Sequence, residues 1–295
     1  MKFQRKYFQE RAVQIVFLIC AAVSAVVVSA MVFSLLYEGF PVVSDYLLQG
    51  FGMSWAPTNG LYGTIPLIFL TFYEGIGCTA VAALIGIPTA IYLAEFADNR
   101  LRNILKPSLE VLTGIPSVIF GLVGLAIVVS AITATTGAGK GYGMLPVWIV
   151  VGIMSLPTVA SISEDAIKAV PKELKEASLG LGATRWQTVT QVLIPVAKPG
   201  ILAAVLLGMG SAIGETMAAY FLIGSVSPTL TFDILVPNNV IPVIIASGAL
   251  ADFPYYPPLY ALGFILFIII GALNLIIRRL VKGKISGAPK KAGIW

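Results

Sequence analysis

Val170-Pro171-Lys172-Glu173-Leu174-Lys175-Glu176-Ala177-Ser178-Leu179-Gly180-Leu181-Gly182-Ala183-Thr184-Arg185-Trp186-Gln187 is a polar interval between two long apolar runs, 145–163 and 195–224. Pro171 suits the first turn of a helix, where its missing N–H costs nothing. Leu174, Ala177 and Leu181 then recur at helical spacing with charged residues between them. Gly180 and Gly182 interrupt that helix. Thr184 and Gln187 stand three apart, the spacing of a capping box, so a second helix starts there and runs toward Ile194-Pro195. The spacing therefore predicts a helix–glycine–helix elbow over 165–194. Such an elbow serves either as an amphipathic connector lying on a lipid surface or as a knob that docks into a partner.

The runs on either side of the elbow are part of a wider pattern. Of 295 residues, 58% are hydrophobic and 11% are charged, against about 25% charged in an average soluble domain. So few polar side chains cannot cover a water-exposed surface. Six apolar stretches are each long enough to cross a bilayer: 12–37, 64–94, 109–133, 145–163, 195–224 and 258–277. The fold class is therefore an all-α membrane protein with six transmembrane helices in a single domain, 1–295. Two of the stretches, 64–94 and 195–224, exceed a straight crossing and must tilt, kink or extend, with Pro88 and Pro199 available as kinks.

Orientation follows from the basic residues. Lys2, Arg5, Lys6 and Arg11 precede the first stretch, and Arg100, Arg102 and Lys106 follow the second. Lys168, Lys172, Lys175, Arg185 and Lys198 belong to the elbow region, and Arg278, Arg279, Lys282, Lys284, Lys290 and Lys291 follow the sixth stretch. With both termini cytoplasmic, 18 of the 19 Lys and Arg face the cytoplasm, and only Lys140 does not. The net charge of +5 is thus a topological signal, and no nucleic-acid partner is needed to explain it. The outer segments, 38–63 and 225–257, hold Glu38, Asp45, Asp233 and Asp252, several prolines and no basic residue. Within the second of them, 241–250 is too short to cross and reads as an interfacial or re-entrant helix.

Several chemistries are excluded. The chain has no histidine, which removes His-based acid–base catalysis and imidazole metal sites. Its two cysteines, Cys20 and Cys78, sit in apolar runs and read as small buried hydrophobes. Gly137-Ala138-Gly139-Lys140-Gly141 is not a P-loop: its spacing is wrong and glycine replaces the required Ser or Thr. The chain is read as a non-catalytic subunit that binds no cofactor or metal. No inverted repeat is visible, against the pattern of many secondary transporters.

Glu176-Ala177-Ser178-Leu179-Gly180-Leu181-Gly182, then nine residues, then Val192-Leu193-Ile194-Pro195 resembles the EAA loop of ABC importer permeases, E-A-A-x3-G-x9-I-x-L-P. Ser178, Val192 and Ile194 are the conservative departures. Ile115-Pro116-Ser117-Val118-Ile119-Phe120-Gly121-Leu122, Ser161-Ile162-Ser163-Glu164-Asp165-Ala166 and Gly214-Glu215-Thr216-Met217-Ala218 are similar to phosphate-specific permeases of the PstC type. So are Leu259-Tyr260-Ala261-Leu262-Gly263 and the 55–63 loop, and coverage runs from about residue 50 to 280. The resemblance implies a subunit that lines a membrane path for inorganic phosphate together with a homologous permease. A dimeric ATP-binding subunit on the inside would hold Glu176, Ala177, Ser178 and Gly182 of the elbow in a cleft. An external phosphate-binding protein would deliver the substrate.

Two carboxylates lie deep in apolar stretches, where a charge is costly and defaults to function. Glu215 lies about nine residues below the outer end of the fifth stretch, roughly 14 Å into the membrane at 1.5 Å per residue. Ala204, Gly208, Ser211, Glu215 and Ala218 would share one face of a continuous helix there. Glu215, Ser211 and Thr216 are the candidate pathway residues, the plainer alternative being a tight helix–helix contact. Ser211 stands where the resembled pattern has arginine, so the charge facing an oxyanion must be balanced from elsewhere. Glu74, flanked by Gly75 and Gly77, fits either an interfacial or partner-paired position or the pathway. The remaining functional alternatives are import of another oxyanion or a phosphonate, and proton-coupled secondary transport through Glu74 and Glu215.

Overall fold

The computed structural model describes residues 2–50, 52–56, 59–137, 141–250 and 256–285. Six helices are long and apolar enough to cross a bilayer: Val13–Val42, Ile65–Phe96, Ser117–Thr136, Met144–Lys168, Arg185–Ile213 and Pro257–Arg279. They are numbered here within the chain order of elements. Helix α1 (Lys2–Gly50) precedes a short hairpin, β1 (Trp55–Ala56) and β2 (Leu61–Tyr62), in which Trp55 packs edge-on against Tyr62. Then come α2 (Ile65–Ile91), α3 (Asn99–Gly114), α4 (Ser117–Gly124), α5 (Ser130–Thr136) and α6 (Met144–Lys168). The elbow contributes α7 (Lys172–Gly180) and α8 (Arg185–Thr188), followed by α9 (Ile194–Ile213), α10 (Met217–Ile223), α11 (Ile241–Leu250) and α12 (Tyr256–Ile285). Single π-helical turns at Tyr92–Phe96, Leu125–Val129 and Val189–Leu193 extend α2, join α4 to α5, and join α8 to α9.

Two expected spans have different limits. The third was expected from residue 109, but 109–114 belongs to α3, and the crossing helix begins at Ser117. The cause is Pro116, which disfavours a helical conformation at the preceding residue. Ile115 is accordingly extended, at φ −77° and ψ 126°. The fifth was expected to run unbroken over 195–224. Instead it starts in the elbow at Arg185, stops at Ile213 and resumes at Met217 as α10. The short helix expected over 241–250 is present as α11, with its first turn buried.

The core forms where α2, α6 and α9 meet, and small residues let these helices approach closely. A Cβ added at Gly77 would run into the Trp148 indole, and one at Gly152 would lie 2.7 Å from Val81. Leu70, Cys78, Val147, Val151, Ala212 and Leu222 fill the centre, each less than 2% exposed. Helix α1 instead packs mainly on α12, leaving Phe17, Leu18, Val26 and Phe33 on an open apolar face. Cys20 lies on that face and is exposed rather than buried; Cys78 is buried, and both are free thiols.

Amphipathic α3 buries none of its residues. It is held to α6 by charge. The Glu164 carboxylate is 1% exposed and receives Arg102 at 2.9 Å, Lys106 at 3.7 Å and Lys168 from its own helix. A buried carboxylate needs such partners to offset its lost hydration.

Candidate functional site: an exposed elbow and a polar cavity at a broken span

The elbow has the expected form. Helix α7 ends at Gly180, the chain turns through Gly182 at φ +87°, and α8 starts behind a complete capping box. Thr184 Oγ1 accepts the Gln187 N–H at 3.2 Å, while Gln187 Oε1 accepts the Thr184 N–H at 2.8 Å. Glycine tolerates this positive φ, which other residues adopt at a cost of about 1–2 kcal/mol. Ser178 and Thr188 join the two arms through their hydroxyls at 3.0 Å. Lys175 reaches across to Glu95 in the π-helical end of α2. The second arm continues directly into α9, so the elbow and the fifth span are one helical rod from Arg185 to Ile213.

The outer surface of the elbow is uncovered and sets apolar side chains among charged ones. No residue of α7 is buried, Leu181 is 90% exposed and Trp186 is 60% exposed. Glu176, Ala177 and Gly182 are exposed on the same knob, and Ser178 is half-buried by its bond to Thr188.

The interruption of the fifth span occupies Gly214, Glu215 and Thr216. The Glu215 side chain closes it: Oε1 accepts the Ala218 N–H at 3.2 Å, as a cap would for the new helix. Beside the break lies a cavity of about 190 Å³. Its polar lining is Glu215, Ser211, Ser155, Thr158 and Thr113; Phe120, Val151 and Met154 supply apolar wall. Ile115, at the break between α3 and α4, also lines it, so two helix interruptions face one space. Irregular backbone at membrane depth is tolerated only where protein or a cavity surrounds it.

The helical face expected over Ala204, Gly208, Ser211, Glu215 and Ala218 is carried by α9 only as far as Ser211; the break at 214–216 takes Glu215 and Ala218 off it. Ala204, Gly208 and Ala218 are buried in helix packing, while Ser211 and Glu215 open to the cavity. Thr216 stands next to the break as the first residue before α10 and does not line the cavity. Glu74 is 0% exposed and lies within the helix packing; neither carboxylate oxygen has a hydrogen-bond partner among the described residues. The Trp148 indole nitrogen, against Gly77 one turn further along α2, is likewise unpaired among the described residues. Ala138, Gly139 and Lys140 lie outside the described residues.

Sequence reasoning passed over Ser155, Thr158 and Thr113, whose isolated hydroxyls look like ordinary helix residues. It also passed over the Glu164 cluster, for which the (i, i+4) pair with Lys168 was an available signal.

A bundle of six crossing helices, a protruding elbow continuous with one of them and a polar cavity at that helix's break define a membrane permease subunit. The chain belongs to the family described as binding-protein-dependent transport system inner membrane component, whose model matches residues 86–286. It is a subunit of the ABC importer permease type and a multi-pass protein of the bacterial inner membrane. A probable ABC transporter permease protein, YqgH of Bacillus subtilis, is 38% identical over 73% of this chain and 74% of its own length. The phosphate transport system permease protein PstC of Haemophilus influenzae is 31% identical, covering 97% of this chain and 98% of its own. The corresponding PstC of Xylella fastidiosa is 30% identical over 91% and 90%. Among solved structures, an inward-facing MetNI methionine ABC transporter matches with a TM-score of 0.57 at 20% identity, covering 75% of this chain and 97% of that one. An importer of the acidic polysaccharide alginate matches at 0.50 and 17%, covering 87% and 95%. These structural likenesses carry the fold alone.

Proposed function

We propose that this chain forms, with a homologous second permease, the membrane path by which inorganic phosphate enters the cytoplasm, driven by a dimeric ATPase that grips the 165–194 elbow. An external phosphate-binding protein delivers the substrate. The observation that carries the coupling is the elbow itself: an uncovered knob that presents Leu181, 90% exposed, and Trp186 among charged residues and is continuous with the span that breaks at Glu215. Such a rod transmits movement of its docked end to the cavity. Placing 18 of 19 basic residues inside supports an elbow and termini on the cytoplasmic side, where ATP is available. The phosphate reading is supported by the PstC relatives that match nearly end to end.

ATP-driven closure of the ATPase opens the path outward, and hydrolysis returns it inward. Glu176, Ala177, Ser178 and Gly182 form the docked surface; Glu215 and Ser211 line the path, Thr216 stands at the break beside it, and Glu74 acts from within the packing behind it. A Lys or Arg from the second permease balances Glu215 against the anion, in place of the arginine that Ser211 replaces. Mutating that partner residue should impair uptake as severely as changing Glu215.

The test is uptake by the reconstituted complex with ATP, competed by sulfate, arsenate and phosphonates. ATP-dependent uptake of phosphate, blocked by arsenate and not by sulfate, is the expected result. Preferential uptake of a phosphonate or another oxyanion would move the assignment to that substrate. Uptake abolished by a protonophore while ATP is retained would favour a proton-coupled path through Glu74 and Glu215.

A further inference from the structure

The cavity at the break of the fifth span holds one carboxylate, Glu215, and four hydroxyl side chains, Thr113, Ser155, Thr158 and Ser211, and no Lys or Arg lines it among the described residues. Ser155 is 3% exposed, opens to this cavity and has no hydrogen-bond partner among the described residues. Its hydroxyl is therefore free to donate to, or accept from, a ligand oxygen in the cavity. Glu215 spends Oε1 on the Ala218 N–H, so Oε2 remains to accept another hydrogen.

An ionised carboxylate is an acceptor only, whereas a hydroxyl can donate. An oxyanion that bears a proton matches that set: its X–OH donates to Glu215 and its bare oxygens accept from the hydroxyls. An oxyanion without a proton sets lone pairs against lone pairs and leaves Glu215 unsatisfied, which costs the desolvation of a charged group.

We propose that this cavity selects oxyanions by their protons, with Glu215 accepting the hydroxyl hydrogen of hydrogen phosphate or hydrogen arsenate and thereby rejecting sulfate. The proposal rests on the phosphate reading above and deepens it, adding a selection step inside the permease, after delivery. The cation from the second permease supplies attraction for either anion; Glu215 supplies the discrimination. Sites built around a substrate hydroxyl reject analogues lacking it by up to about 10⁴-fold. Glu215 is half-buried rather than sealed, so a preference of about tenfold or more is expected here.

The experiment is equilibrium binding of radiolabelled phosphate and sulfate to the assembled transporter, both permeases with the ATPase, in nanodiscs without the binding protein. The wild-type complex should bind phosphate saturably and sulfate at least about tenfold more weakly. Glu215→Gln, whose amide both donates and accepts, should narrow the gap to about threefold or less by weakening phosphate and admitting sulfate. Glu215→Asp keeps the acceptor and should keep the preference, and Ser155→Ala should weaken both anions without changing their ratio. An unchanged ratio in Glu215→Gln, or a lost preference in Glu215→Asp, overturns the proposal. So does absence of saturable phosphate binding in a complex that still imports phosphate with its binding protein. Failure of the complete wild-type system to import phosphate would overturn the phosphate reading itself.

Discussion

Two helix interruptions, each centred on glycine, serve opposite surroundings. The turn at 181–183 lies in the exposed elbow, while the break at 214–216 lies inside the helix bundle. At the elbow, the freed backbone groups are satisfied locally, by the reciprocal Thr184–Gln187 box and by the Leu181, Gly182 and Ala183 N–H groups donating back to Ala177, Leu179 and Ser178. In the bundle the gap is closed by Glu215 reaching the Ala218 N–H, by the Thr216 hydroxyl donating to Gly214 O, and by the Glu215 N–H donating to Ala212 O, beside a cavity. A break in water is cheap and can be a hinge or a knob. A break at membrane depth is costly and persists where it shapes a site.

Straightening the buried break tests this contrast most severely. Gly214→Ala combined with Thr216→Ala favours a continuous helix while keeping Glu215. Uptake should fall roughly 100-fold, since displacement of functional groups by about an ångström has effects of that size. Assembly, followed by co-purification with the ATPase, should persist. Unimpaired uptake would show that the break is incidental.

At the exposed turn, Gly182→Val meets the positive φ of +87°. Transport should drop by about tenfold or more, within the usual range of coupling between distant sites, with ATP hydrolysis continuing out of step with uptake. Equal loss of both would place the defect in assembly rather than in transmission.

Between the two lies the Glu164 junction, which ties α3 to α6 just before the elbow. Glu164→Gln strips one carboxylate from Arg102, Lys106 and Lys168 and should cost about 3 kcal/mol of stability, discounted because the cations are about one-third exposed. A fall in the thermal midpoint of the purified complex would register it. The smallest effect is expected for Thr184→Ala, which removes half the capping box, at about 1 kcal/mol. Its uptake should decline only a few-fold, because the covalent rod from Arg185 to Ile213 remains.

The elbow was legible because its signals are local. Pro171, the spacing of Leu174, Ala177 and Leu181, and the Thr184–Gln187 pair each act within a few residues; the structure has the helix start behind Pro171 and the capping box, while Leu181 falls just past the helix end and is exposed. The apolar lengths likewise disclosed six crossings, since bilayer thickness sets a length that composition reveals. The third and fifth boundaries were misjudged for a reason of the same kind: hydropathy does not register a backbone break between apolar residues. Pro116 was a readable cue for the first; Gly214-Glu215-Thr216 carries no proline at all.

Sequence by itself determined that this chain lives in a membrane, how many times it crosses, and which loop projects from it. Those properties follow from transfer free energy and short-range backbone preference, which are sums over neighbouring residues. Only the tertiary structure decided that Glu74 is sealed within helix packing while Glu215 opens to a cavity. It alone brought Thr113, Ser155 and Ser211 from three separate helices to one lining, and gathered three cations on Glu164. Which face of a helix is covered depends on the neighbours that pack there, and no periodicity along one helix carries that information.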